Sequence, residues 1–213
     1  MIDEKTAQQA KELLGDLKDT VKIVAFTDNT DCTYCPQTME LVKDIAQLSD
    51  KIEHEIHDFK ENKDIAEKYN IDKVPAIVIL NGDVDYGIRF FGIPSGYEFV
   101  SLLDAIKVVS TGEHGLTEQT VKKITSIEKP VHIQVFITPT CPYCPRAVML
   151  AHKFAYVSDK IRGDMVEAIE FPELADKYNV MGVPRSVFND NDFIEGAVPE
   201  KVFADKVVEV ASK

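Results

Sequence analysis

No run of lysine or arginine occurs in the chain, and the formal net charge is −12. Nucleic acid and anionic membrane surfaces both demand a basic patch, so neither is expected as the main partner. No stretch approaches the roughly 18 apolar residues that a membrane span requires. The opening residues, Met1-Ile2-Asp3-Glu4-Lys5-Thr6, lack the basic start and apolar middle of a secretion signal. A cytoplasmic location is therefore expected, a setting in which thiols are kept reduced and cysteine pairs serve catalysis or bind metal. Cysteine is itself scarce: there are four in 213 residues, and every one belongs to a pair.

Those pairs, Cys32/Cys35 and Cys141/Cys144, are each followed by proline (Pro36, Pro145) and lie 109 residues apart. The same offset relates Ala66-Glu67-Lys68-Tyr69-Asn70-Ile71 to Ala175-Asp176-Lys177-Tyr178-Asn179-Val180, and Val74-Pro75 to Val183-Pro184. A shared period this long signals duplicated domains, because solenoid repeats run to only about 20–50 residues. The polar, glycine-bearing segment 110–115 places the boundary between a unit at 1–112 and a second at 113–213.

Periodicity predicts the same element order in both halves. In the first, helices are expected over 5–18 and 36–48, as a short one ending at Tyr69, and over 96–109, and strands over 21–27, 52–58, 76–80 and 88–91. Asn81-Gly82-Asp83 reads as a hairpin turn. In the second, helices are expected over 117–127, 145–158, 173–178 and 200–211, and strands over 131–137 and 164–170. A hairpin is expected to turn near Asn189-Asp190-Asn191. On this reading the connection from the second cysteine to the next strand is longer in the second half.

A Cys-x-x-Cys pair suits either a redox dithiol or half of a zinc site. Here each pair lies where a strand hands over to an amphipathic helix. Free backbone N–H groups and the macrodipole at a helix start favour negative charge, which lowers a thiol pKa from about 8.5 into the range of roughly 3.5–7.5. The thiolate is the attacking species in disulfide exchange. Cys32 and Cys141 are thus expected to be exposed nucleophiles, with Cys35 and Cys144 reaching back to displace the substrate. Zinc would require the two distant pairs to cooperate, whereas compact sites place them about 15–20 residues apart. His54, His57, His114, His132 and His152 are scattered and read as filler. No metal is expected. A lone Val-Pro is by default a proline at a strand start. Its repetition at a matched distance points to a specific role, and a turn of this kind accommodates a cis bond.

Strand, Cys-x-x-Cys-Pro, amphipathic helix and later Val-Pro together resemble the thioredoxin/glutaredoxin superfamily. Cys141-Pro142-Tyr143-Cys144 has the glutaredoxin form of the active-site loop, and Cys32-Thr33-Tyr34-Cys35 is a close variant. Two such units resemble the glutaredoxin-like protein disulfide oxidoreductases of thermophiles. The resemblance implies an α/β fold of two tandem thioredoxin-like domains, each a four-stranded mixed sheet flanked by helices. It implies cis Pro75 and Pro184 facing the cysteines, and Val74 and Val183 pairing through their backbone with an extended substrate. It further implies reductase, oxidase and isomerase action on protein disulfides, recycling by a flavin-dependent thioredoxin reductase, and no cofactor beyond the redox-active disulfides.

Two departures from the family pattern stand out. Ala25 and Val135 occupy the place of the buried thioredoxin aspartate, so proton transfer must use another group or water. The stretches Phe91-Gly92-Ile93-Pro94-Ser95 and Glu195-Gly196-Ala197-Val198-Pro199 lack the Gly-Gly-x-Asp segment that helps glutaredoxins hold glutathione. The alternatives are a glutathione-dependent iron–sulfur carrier and a peptide-binding module without chemistry.

Overall fold

The computed structural model describes residues 2–213. The first unit runs α1 (Glu4–Leu13), β1 (Val21–Thr27), α2 (Cys35–Ala46), β2 (Ile52–Asp58), α3 (Lys63–Lys68), β3 (Ala76–Asn81), β4 (Val84–Phe91), a 3₁₀ turn (Gly96–Glu98) and α4 (Phe99–Thr111). The second repeats this order as α5 (Glu118–Thr125), β5 (Val131–Ile137), α6 (Cys144–Val157), β6 (Ile161–Glu167), α7 (Pro172–Lys177), β7 (Arg185–Phe188), β8 (Asp192–Glu195) and α8 (Glu200–Ala211). Gly112, in the left-handed conformation that ends α4, begins the connection between the units. Among the described residues no helix is long and apolar enough to cross a membrane.

Each unit has the four-stranded mixed sheet expected of it. β1 lies between parallel β2 and antiparallel β3, and β3 turns back into β4. β5 is likewise flanked by β6 and β7, with β8 outermost. The two sheets are, however, one. β4 pairs in parallel with β6, Ile88 opposite Gly163 through Phe91 opposite Val166, giving the order β2-β1-β3-β4-β6-β5-β7-β8. Strand alternation then sorts the core onto two faces. Ile23, Ala25, Ile77, Phe90, Ile133, Val135 and Met165 share one cluster with α2, α4, α6 and α8, whereas Val24, Phe26, Val78, Phe91, Phe136 and Val166 pack under α3 and α7. Both clusters cross the junction between the units.

β6 occupies 161–167 rather than the expected 164–170. Arg162, Gly163 and Asp164 conceal its start from an apolarity reading, yet Asp164 is buried in mid-strand. It is hydrogen-bonded to His132 on β5 (2.6 Å) and ion-paired with Arg162 (2.8 Å). These partners, against the cost of burial, hold its carboxyl well below the usual range. Gly163 permits α6 to approach, since a Cβ there would lie 2.6 Å from the Ala151 carbonyl oxygen. With β6 so placed, Cys144 to Ile161 matches Cys35 to Ile52, and the expected longer connection does not exist. The real difference lies before the cysteines, where the loop from β1 to Cys32 has one residue more than that from β5 to Cys141. α1 also stops at Leu13 instead of reaching 18, and the chain then turns so that Leu14 and Leu17 enter the core.

Candidate active sites

β1 and β5 run in the same direction and each deliver a Cys-x-x-Cys loop at the same end of the sheet's strands. α2 and α6 begin on the second cysteine of each pair, with proline in the first turn, where its missing N–H costs nothing. Cys35 and Cys144 are thus the first helical residues, and Cys32 and Cys141 precede the helices by three positions. The first turn of each helix, which leaves backbone N–H groups without helical partners, therefore starts at the cysteine pair. Both pairs are disulfide-bonded. Burial separates the members: Cys35 and Cys144 are enclosed, while Cys32 is half-buried. Cys141 was expected to be exposed but is 8% accessible, because the Val183 loop covers it and its Sγ lies 3.7 Å from the Val183 carbonyl oxygen.

The Val74–Pro75 and Val183–Pro184 bonds are both cis. Each proline carbonyl accepts from a glycine after the hairpin, Gly92 at 2.9 Å and Gly196 at 2.8 Å. Thr33, Tyr34, Pro142 and Tyr143 form the loops between the cysteines, and Tyr143 projects into solvent.

The surroundings of the two pairs differ. In the first, the Asp28 N–H points at Cys35 Sγ (3.4 Å). The Asp28 carboxylate binds Lys60 (2.8 Å) and Thr30, which hold it well below its ordinary pKa. In the second, Thr138-Pro139-Thr140 carries no charge.

Three carboxyls not singled out from sequence lie at the junction of the units near the second pair. Glu98 ends the 3₁₀ turn, which packs on α6. The neighbouring Tyr97 N–H donates to the Pro139 carbonyl (2.9 Å), two residues before Cys141. Glu98 is fully buried; Ser101 donates to its Oε2 at 2.6 Å, and Oε1 has no partner among the described residues. Burial pushes its pKa up to about 7. Glu170 accepts from the Ile93 N–H (2.6 Å) and is likewise pushed up to about 7 by burial. Glu167, which accepts from the Glu170 N–H, is shifted upward for the same reason. Ala25 and Val135, at the position of the thioredoxin aspartate, are fully buried and apolar. No sequence signal marks Glu98: it follows an ordinary Pro-Ser-Gly-Tyr turn, and only the packing of one unit on the other buries it.

A cavity of about 800 Å³ runs along this junction from Tyr34 and Gln37 past Ile93 and Phe99 to Pro139 and Glu170. Among the described residues no group of histidines, cysteines and carboxylates could hold a metal ion.

The thioredoxin domain family matches residues 20–104 and 131–209. A protein disulfide oxidoreductase from Aeropyrum pernix K1 superposes with a TM-score of 0.92 at 31% identity, over 100% of this chain and 95% of that one. The NTD_N/C domain of alkyl hydroperoxide reductase AhpF from Enterococcus faecalis superposes at 0.91 with 26% identity, covering 97% of this chain and 99% of that one. The alkyl hydroperoxide reductase AhpF of Escherichia coli K12 is 28% identical over 198 residues, which are 92% of this chain but 35% of that protein. The chain thus spans about a third of the length of such curated relatives. With two Cys-x-x-Cys disulfides set in two matched units, the chain belongs to the thioredoxin-domain family as a tandem disulfide oxidoreductase.

Proposed function

We propose that the chain passes electron pairs to and from disulfides of other proteins by dithiol–disulfide exchange at both cysteine pairs. One observation carries this reading: each pair opens a helix, and at the second the outer sulfur lies 3.7 Å from the Val183 carbonyl of a cis Val-Pro loop. An extended polypeptide aligned on that backbone brings its disulfide to the sulfur.

In the reductive direction the Cys141 thiolate attacks one partner sulfur. A Cys141–partner bond forms as the partner's S–S bond breaks, and the other partner sulfur leaves as a thiolate that takes up a proton. Deprotonated Cys144 then attacks Cys141 Sγ, the intramolecular disulfide closes, and the second partner sulfur leaves and is protonated. Two electrons and two protons have moved to the partner. Cys32 and Cys35 act in the same way at the first site. Glu98, with a pKa near neutrality on the turn packed against α6, accepts the Cys144 proton and supplies the base that Ala25 and Val135 cannot. A thiol or a flavin-dependent thioredoxin reductase restores the dithiols, and reversal of the steps oxidises or isomerises substrates. The sulfurs are the only redox groups invoked.

Insulin reduction driven by dithiothreitol tests the reading. Acceleration is expected, with a partial loss in Cys32→Ser and in Cys141→Ser and none remaining in the double variant; an unaccelerated reaction would refute it. The likeness to AhpF supports a second reading, in which the electrons serve hydroperoxide reduction. Adding the reduced chain to an organic hydroperoxide, with and without a thiol peroxidase, separates the two by peroxidase-dependent consumption.

A further inference from the structure

The internal repeat allows the rims of the two sites to be compared position by position. The 109-residue offset pairs Tyr34 with Tyr143, Lys60 with Ile169, and Asp72 with Met181. Tyr34 and Tyr143 each precede the first residue of a helix, Lys60 and Ile169 each lie two residues past the end of β2 or β6, and Asp72 and Met181 each lie two residues before a cis Val-Pro bond, so the three positions hold matching places in the two units.

At the second site all three are large, apolar and exposed: Tyr143 is 64%, Ile169 63% and Met181 91% accessible. Tyr143 lies between the cysteines. Ile169 lines the same cavity as Pro139, two residues before Cys141. Met181 is two residues from Val183, whose carbonyl faces the Cys141 sulfur. A methionine with 91% of its surface in water has no packing role in the chain itself. Exposed apolar groups gathered around one cysteine loop and its Val-Pro partner mark an interaction surface. At the first site the same positions are Tyr34, Lys60 and Asp72. Lys60 is ion-paired to Asp28 and Asp72 to Lys73, and Asp31 adds a further charge beside Cys32. An apolar segment pressed against this rim would desolvate those charges without compensation.

We infer that Ile169 and Met181 make the second site the port for polypeptides carrying large apolar side chains beside the disulfide, and that the charged rim of the first site turns such polypeptides away. The inference rests on the exchange function proposed above and adds a division of substrates between the sites. The flexible methionine thioether suits a surface that must accept varied apolar shapes.

The test uses the full chain with one site at a time, Cys32→Ser/Cys35→Ser leaving the second and Cys141→Ser/Cys144→Ser the first. Two quenched fluorescent peptides serve as probes, each with one intrachain disulfide, flanked by Leu and Phe in one and by Ser and Lys in the other. Stopped-flow reduction by the pre-reduced proteins gives a rate ratio for each site. The second site is expected to favour the apolar peptide about tenfold, as burial of one such side chain provides, with little response to salt; the first is expected to lack that preference. Ile169→Lys/Met181→Asp should lower the ratio at the second site several-fold, and Lys60→Ile/Asp72→Met should raise it at the first. All four positions are exposed; Lys60→Ile also frees Asp28 of its ion pair, and because the readout is a ratio of two peptides at one site, a change in the reactivity of the cysteines themselves cancels. Equal ratios at the two sites, or ratios unmoved by both exchanges, overturn the inference while leaving the exchange function standing. No reduction of either peptide at either site overturns both.

Discussion

Glu98 is the residue at which burial, charge and chemistry meet, and its titration makes two predictions. Its carboxyl is raised from 4.5 to about 7 by burial. Below the unfolded value both states hold the proton; between the two values only the folded state does, so stability falls as pH rises through that window and levels off above it. Glu98→Gln removes this term. Urea titrations from pH 4 to 8.5 should show the variant losing less stability than the parent, by on the order of 3 kcal/mol; parallel curves would contradict the assignment. The same substitution should slow release of a mixed disulfide on Cys141 by about a hundredfold and abolish an inflection near neutrality in its pH profile, with the first site unaffected. Asp164 has the opposite sign. Its carboxyl is depressed, so its contribution is present above the ordinary aspartate range and is lost as pH falls toward the lowered value. Asp164→Asn strips the partner from His132 and Arg162, which keep some contact with water, and should cost about 2 kcal/mol at neutral pH, measured by the same denaturation.

The elements were legible where apolar period and turn chemistry agree. Val21–Thr27, Val131–Ile137 and the final helix lie where alternation and helical spacing put them, and the cysteine pairs sit at strand-to-helix transitions. β6 escaped because a buried Asp164 makes sense only beside His132 and Arg162, partners that a linear reading does not bring together. The pairing of β4 with β6 escaped for a related reason, as an edge strand and an inner strand differ in their neighbours and not in their period. The 3₁₀ turn shows what such contacts add at the site. Gly96 has φ +60°, and a Cβ there would overlap the Pro139 carbonyl, which accepts from the Tyr97 N–H at 2.9 Å. Gly96→Ala should therefore push the turn away from the loop that carries Cys141, destabilising the protein by about 1–3 kcal/mol. Exchange at the second site should fall while the first site, measured in the single-site background, keeps its rate. Equal losses at both sites would show that the turn supports the whole fold rather than one cysteine loop.

At the scale of the molecule, sequence duplication and structural independence part company. The repeat divides the chain at 112/113, and we propose that boundary for the ancestral units, but Ile88, Arg89, Phe90 and Phe91 are all buried where β4 meets β6. Its counterpart β8 is half as long, alternates exposed with half-buried residues, and stands at the free edge of the sheet. A natural edge strand is short and polar, whereas a long apolar one is a template for association. β4 is of the second kind and needs a neighbour. Further ties cross the same seam, His152 Nε2 with the Arg89 carbonyl at 3.1 Å and Arg162 with the Asn70 carbonyl at 3.1 Å. The intact chain is therefore expected to unfold in one cooperative transition, and a fragment of residues 1–112 to self-associate through β4. Light scattering on that fragment at micromolar concentration should report dimers or larger species, and Phe90→Lys should shift them toward monomer or leave the fragment unfolded. A fragment that stays monomeric and folds as cooperatively as the whole chain would mean that the continuous sheet only docks two self-sufficient units; an associating fragment would mean that the second unit completes the first, so that the Glu98 turn and the cysteine loop it grips are held in place by the same seam.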